Sequence, residues 1–297
     1  MSEDRWLADA LANLASSDAV RLGPGDDAAV VDAGPDGVVV TTDALVDGVH
    51  FVLADCGPEA AARKAVGVNL SDLAAMGAQP VGMVVAAVLP RPVDRTLFEG
   101  LMAGFRHEAE RFDCPLLGGD TNTAEGPLVL SVTALGRPGG GGIVTRAGGR
   151  AGQLLSVTGP LGGSGAGRHL TPTPRLAAGE ALARLGIATA MMDISDGLSR
   201  DLPRLAAASG VGAVVDAGAV PIHDDAEGDL ERALHEGEDF ELLVAHAALE
   251  DGQREALAAA GVTLWPIGRL DEGPGVRLED ASGIHPLPTG GYDHLAG

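Results

Sequence analysis

The sequence predicts two mixed α/β (α+β) domains that meet near residue 140, and three observations carry that expectation. At 297 residues the chain has the length of two ordinary domains of roughly 150 residues each. Short β-branched runs alternate with longer Ala-rich segments in both halves. Between the halves, Pro138-Gly139-Gly140-Gly141-Gly142 joins proline to a glycine run whose backbone entropy suits a linker better than an element. The expected domains are therefore 1–138 and 144–297.

The elements follow in order. Trp6, Leu7, Leu11 and Leu14 share one helical face at the start. Strand-like runs come next at 28–31, 38–42, 81–89 and 128–135, separated by segments of helical length at 58–76 and 94–112. The second half alternates again, with strands near 154–158, 211–215, 240–245 and 262–267 and helices at 174–185, 198–209 and 247–260. No period of 20 to 50 residues is visible, which argues against a solenoid.

Charge excludes several function classes. Twenty Lys and Arg stand against 42 Asp and Glu, a net charge of −22, and such a surface repels nucleic-acid phosphates and anionic lipid. Lys64 is the only lysine. It sits in Arg63-Lys64-Ala65, so neither a Gly-Lys-Ser/Thr phosphate loop nor a Ser-x-x-Lys acyl-enzyme motif can exist. Its expected role is structural, pairing with a carboxylate. Cys56 and Cys114 make neither a disulfide framework nor a zinc site and suit a reducing cytosol. The acidic N-terminus does not read as a signal peptide, and no apolar stretch approaches about 18 residues, so a cytoplasmic protein with no membrane partner is expected.

Most of the acids must be solvated surface, but a few interrupt apolar or glycine-rich sequence. They are Gly25-Asp26-Asp27-Ala28, Thr41-Thr42-Asp43-Ala44, Asn69-Leu70-Ser71-Asp72-Leu73, Gly118-Gly119-Asp120-Thr121 and Met192-Asp193-Ile194-Ser195-Asp196-Gly197. Each ends an apolar run, where α/β proteins bind ligands. Singly, any of them reads equally as a helix cap or a turn. Together they need a cation, because two carboxylates about 4 Å apart repel by roughly 4 kcal/mol at an effective dielectric near 20. Carboxylates flanked by Thr and Ser hydroxyls suit Mg²⁺, which completes its shell with water and phosphate. A calcium-binding structural module would pack its ligands into one loop, whereas these run from Asp27 to Asp196. Gly23-Pro24-Gly25-Asp26-Asp27-Ala28 formally fits G-x-G-x-x-A, but no strand precedes it, which argues against a dinucleotide fold.

These motifs, extended to Thr41–Phe51 and Lys64–Ala78 and joined by Gly237-Glu238-Asp239-Phe240-Glu241-Leu242-Leu243, resemble the successive motifs of the thiamine-monophosphate kinase family, in the same order. The resemblance runs from about Gly25 to Tyr292. It implies the two-domain fold of aminoimidazole ribonucleotide synthetase, a homodimer whose N-terminal domains pair through their sheets, and ATP held near that interface. The implied reaction transfers the γ-phosphoryl group of ATP to thiamine monophosphate. The acceptor phosphate is already anionic at neutral pH, so no general base is required.

By the same resemblance, Mg²⁺ contacts fall to Asp27, Thr41, Thr42, Asp43, Asp72, Asp120, Asp193 and Asp196. Asp43 and Asp72 are the bridging ligands, and Asp43, Asp72 and Asp196 are the most critical. Asp26 stays open between ligand and turn. Gly119, Asp120, Arg146 and Ser195 fall on the ATP side, and His50, Glu238 and Tyr292 on the substrate side. Selenophosphate synthetase is the alternative within the superfamily, but it carries a reactive cysteine or selenocysteine in a glycine-rich N-terminal segment, and no cysteine precedes Cys56. Two segments depart from the family pattern. Leu161-Gly162-Gly163-Ser164-Gly165-Ala166-Gly167 lacks the usual acidic residue, and Thr289-Gly290-Gly291-Tyr292 lacks the usual aromatic residue before it.

Overall fold

The computed structural model describes residues 20–22, 26, 29–31 and 37–292, so the helix expected around Leu7–Leu14 and the predicted ligand Asp27 lie outside the described residues. Two sheets organise the chain. The first contains β1 (Val20–Leu22), β2 (Ala29–Val31), β3 (Val38–Val46), β4 (Ala78–Pro90), β5 (Leu116–Ala124) and β6 (Val129–Pro138) in the order β1-β2-β3-β6-β4-β5. Its pairs are antiparallel except β4 with β5. Helices α1 (Leu53–Ala75) and α2 (Arg95–Arg111) complete this half.

The second sheet contains β7 (Leu154–Val157), β8 (Ala188–Asp193), β9 (Gly212–Asp216), β10 (Leu242–His246), β11 (Trp265–Asp271), β12 (Val276–Asp280) and β13 (Gly283–Pro286), in the order β13-β12-β9-β11-β7-β10-β8. Its helices are α3 (Leu176–Arg184), α4 (Leu198–Ser209), α5 (Leu230–His235) and α6 (Asp251–Ala259). A mixed α/β two-sheet architecture is what the alternating pattern predicts. β5 departs from expectation, because Gly118-Gly119-Asp120-Thr121 reads as a loop yet forms a strand. It pairs only with β4, at the sheet edge, and Gly119 lets the chain pass so near Val85 that a Cβ would meet its carbonyl oxygen.

Helix α1 joins the halves. From Ala61 to Ala75 almost every residue is buried, Lys64, Asn69 and Ser71 included, so this stretch of the helix has no solvent face and belongs to the centre of the molecule. Small residues permit this. A Cβ on Gly179 of α3 would lie 2.0 Å from the Ala74 carbonyl oxygen, which means only glycine allows α3 to cross α1 at this distance. Val66, Leu70 and Leu73 pack into the core under the first sheet, while Ala74 and Ala75 share a second core with Leu182, Met191 and Val244.

Candidate active site

A cavity of about 540 Å³ opens between the two halves. Its first wall comes from β3 and α1. In β3 alternate side chains face opposite sides, so Thr41 and Asp43 turn inward while Thr42 turns outward and spends its hydroxyl on Val132 and Thr133 of β6. On α1, Lys64, Val68 and Asp72 recur at four-residue spacing and line the cavity along one helical stripe.

Hydroxyls and an amide set the carboxylates of this wall. The Thr41 hydroxyl donates to Asp72 Oδ2 at 2.5 Å, and Asn69 Oδ1 accepts the backbone N–H of Asp43 at 3.1 Å. Ser71, one residue before Asp72, donates across the domains to Asp193 Oδ2 at 2.5 Å. A hydroxyl donor orients a carboxylate without cancelling its charge.

The second wall begins where β8 ends at Asp193. The following turn is fixed by buried Asp201 in the first turn of α4, which accepts the N–H groups of Ser195 and Asp196 at 3.0 and 2.9 Å. Arg204 then bonds both Asp201 (2.9 Å) and Asp196 (2.6 Å). The segment 237–241 closes this wall with two non-glycine residues in the left-handed region, Glu238 at φ 62° and Phe240 at φ 54°. Each costs on the order of 1–3 kcal/mol. Backbone bonds from Glu238 N–H to the Ser195 carbonyl (2.7 Å) and from Phe240 N–H to the Ile194 carbonyl (2.9 Å) hold them there.

The same segment anchors itself away from the cavity. Asp239 accepts the Gly162 N–H at 2.9 Å and pairs with Arg168 at 3.1 Å, yet burial pushes its carboxyl up to about 7 against both contacts. Glu241 is clamped by Arg175 through two bonds and takes the Thr158 hydroxyl at 2.7 Å. The Gly163 N–H donates to Glu236. The glycine stretch 161–167, although it lacks an acid of its own, is thus tied down by carboxylates reaching it from 236–239.

Three predicted substrate residues line the cavity together: His50, Glu238 and Tyr292. His50 Nδ1 accepts the Val46 N–H at 3.0 Å, which leaves its proton on Nε2. The lone lysine does pair with a carboxylate: Lys64 Nζ lies 2.5 Å from Glu238 Oε1 and donates to the His50 carbonyl at 2.5 Å. Burial pulls the Lys64 ammonium downward, and Glu238 opposes that shift. The Tyr292 N–H reaches the Asp196 carbonyl at 3.1 Å, and its side chain is half exposed at the rim.

Of the predicted metal and nucleotide residues, Asp43, Asp72, Asp193, Ser195 and Asp196 also line the cavity, and Thr41 touches it through Asp72. Others stand elsewhere. Gly119 and Asp120 lie on β5, three strand positions from β3 or about 14 Å, beside a smaller apolar cavity under α2. Arg146 N–H bonds the Asp26 carboxylate at 3.0 Å, so Asp26 ties the first half to the second. Among the described residues no group of three or more His, Cys, Asp or Glu is gathered tightly enough to form a metal shell by itself. The all-oxygen donors still suit a hard cation that takes one or two carboxylates per ion and completes its shell from phosphate and water. Asn69, Ser71, Asp201, Arg168, Arg175 and Arg204 were not among the sequence candidates. Only Asn69 and Ser71 carried a signal, since they fall inside the Asn69–Leu73 motif.

The family of AIR synthase related proteins matches twice, its N-terminal domain over residues 25–137 and its C-terminal domain over 126–281. Thiamine-monophosphate kinase from Mycobacterium tuberculosis is 39% identical over 282 residues, covering 88% of this chain and 82% of that protein. The protein of the same name from Rhodopirellula baltica is 38% identical over 251 residues, covering 78% of each. A solved structure described as AaThiL complexed with AMPPCP and TMP superposes with a TM-score of 0.86 at 29% identity, covering 99% of this chain and 97% of that one.

Proposed function

The chain belongs to the AIR synthase related family and, within it, to the thiamine-monophosphate kinases, and on that premise we propose how its cavity serves the reaction. The protein phosphorylates thiamine monophosphate with ATP, giving thiamine diphosphate and ADP. The observation that carries the reading is the convergence of Asp43, Asp72, Asp193 and Asp196 with His50, Glu238 and Tyr292 on one interdomain cavity.

The acceptor is a phosphate monoester, dianionic at neutral pH, so an oxygen is already nucleophilic and direct in-line transfer needs no base. The obstacle is bringing two polyanions together. Mg²⁺ when bound neutralises their charge, and Asp43, Asp72, Asp193 and Asp196, with Thr41, would hold it; Asp27, Thr42 and Asp120 are further proposed ligands. The chain's own residues do the positioning. Thr41 and Ser71 orient Asp72 and Asp193. His50 Nε2–H is a donor for the acceptor phosphate, Glu238 faces the cationic end of thiamine, and Tyr292 covers the rim. Ser195, Gly119, Asp120 and Arg146 are the proposed nucleotide contacts, with the nucleotide reaching across the end of the first sheet.

A homodimer formed through the first sheets is the proposed assembly. Its support is the outward sheet face, where Thr42 and Ala44 of β3 and Val84 and Ala86 of β4 are exposed on either side of β6. No helix among the described residues is long and apolar enough to cross a membrane, and a cytoplasmic location is proposed on the reading of the free thiols. No cysteine lines the cavity, which speaks against selenophosphate synthesis.

Incubating the purified protein with ATP, Mg²⁺ and thiamine monophosphate is expected to yield thiamine diphosphate. Absence of product with metal present would overturn the reading, and selenide-dependent ATP turnover in a parallel assay would favour the alternative.

A further inference from the structure

Lys64 stands among the largest completely buried side chains of the described residues, and it is the only lysine among 20 Lys and Arg. Every other Lys/Arg position is arginine, a planar fork, whereas this one carries a compact ammonium with three donors. Two of those donors are accounted for, one by the His50 carbonyl of the first half and one by Glu238 Oε1 of the second, both at 2.5 Å. The bridge therefore spans the cavity's two walls at its floor.

Position on α1 says which end of the cavity it serves. Lys64 and Asp72 share a helical stripe eight residues apart, about 12 Å. Asp72 stands with Asp43 at the carboxylate end, so Lys64 stands at the opposite, organic end beside His50 and Glu238. Glu238 needs such a partner. Its backbone is held in the left-handed region and its side chain is a third exposed, so without the ammonium its carboxylate could swing into solvent. With Oε1 engaged by Lys64, Glu238 still lines the cavity, where its carboxylate can meet a cation.

We propose that Lys64 is a positioning residue for the acceptor, clasping the His50 turn to the Glu238 carboxylate and so setting the two groups that grip thiamine monophosphate. The proposal rests on the reading that this cavity binds thiamine monophosphate. That reading is checked first by wild-type turnover, whose absence would sink the function and leave the clasp without a substrate. The clasp itself is tested by steady-state kinetics of Lys64→Met, Glu238→Gln and the double variant, varying each substrate separately. Lys64→Met is expected to raise KM for thiamine monophosphate about tenfold or more while KM for ATP stays within about twofold. In the Glu238→Gln background the same change is expected to add less than about threefold, because both substitutions break one bridge. Equal movement of both KM values, or fully additive effects in the double variant, would overturn the proposal. If Lys64→Met yields no folded protein, Lys64→Gln, which keeps a donor at that depth, carries the same prediction. Failure of both to fold would assign the bridge to the fold alone and overturn it equally.

Discussion

The two walls of the cavity hold their acids in different ways. On the first wall hydroxyls set the carboxylates: Asp72 takes one from Thr41, and Asp193, at the junction, takes one from Ser71 of α1. On the second wall the buried acids behind the cavity are met by fixed cations, Asp239 by Arg168 and Glu241 by Arg175, while Asp196 and Glu238, braced by Arg204 and Lys64, still line the cavity. The difference separates two uses of a carboxylate. A hydroxyl aims a carboxylate without cancelling its charge, whereas a guanidinium in a low-dielectric setting neutralises it to fix a loop.

The largest test of that contrast is Asp72→Asn, which keeps the Thr41 contact and removes the charge. A kcat loss of at least about 100-fold with a melting temperature within a few degrees of wild type is expected. Comparable activity would mean that the first-wall acids are not available charge. Arg175→Ala tests the other wall. It strands Glu241, whose side chain is 3% exposed, and should cost about 3 kcal/mol in denaturant unfolding while kcat of the folded fraction changes little. A normal stability would show that the clamp contributes nothing.

Asp239 supplies a pH-dependent version. Its folded carboxyl is pushed above the ordinary 3.8 to about 7, so between those values the native state binds more protons than the unfolded chain. That contribution is complete below 3.8 and is lost as pH rises through 7. Unfolding measured across this window should show stability falling by an amount on the order of 4 kcal/mol on account of this group, and Asp239→Asn should flatten that slope. An unchanged slope in the variant would assign it elsewhere. The smallest expected effect is Thr41→Val, which removes only the orienting hydroxyl. It should lower kcat about fivefold to tenfold, corresponding to about 1 kcal/mol, without changing KM for thiamine monophosphate. A loss as large as that of Asp72→Asn would mean that Thr41 does more than aim.

Much of this was legible in the sequence, for identifiable reasons. Short β-branched runs exposed β3 and β6, and the acids that interrupt apolar or glycine-rich sequence exposed Asp43, Asp72, Asp193 and Asp196 together with Asp27 and Asp120. Strand β5 was hidden because its Gly-Gly-Asp-Thr content carries a loop signal, and only pairing with β4 makes it extended. Phe240, read as the start of a strand, is left-handed because the chain must turn Glu238 toward the cavity and Asp239 and Glu241 away from it. The arginine partners were invisible because Arg168 and Arg175 lie some 70 residues from the acids they hold. Thr42 could have been separated from Thr41 and Asp43 by strand alternation alone, and its hydroxyl does bond across the outer face.

The most direct test of the account is a crystal of the protein with Mn²⁺, a non-hydrolysable ATP analogue and thiamine monophosphate, measured for anomalous scattering at the manganese edge. Peaks bound by Asp43 and Asp72 between the two phosphates, with Glu238 still paired to Lys64, are the predicted result. Manganese held only at Asp120 on β5, or a first wall left without metal while both substrates are bound, would contradict it.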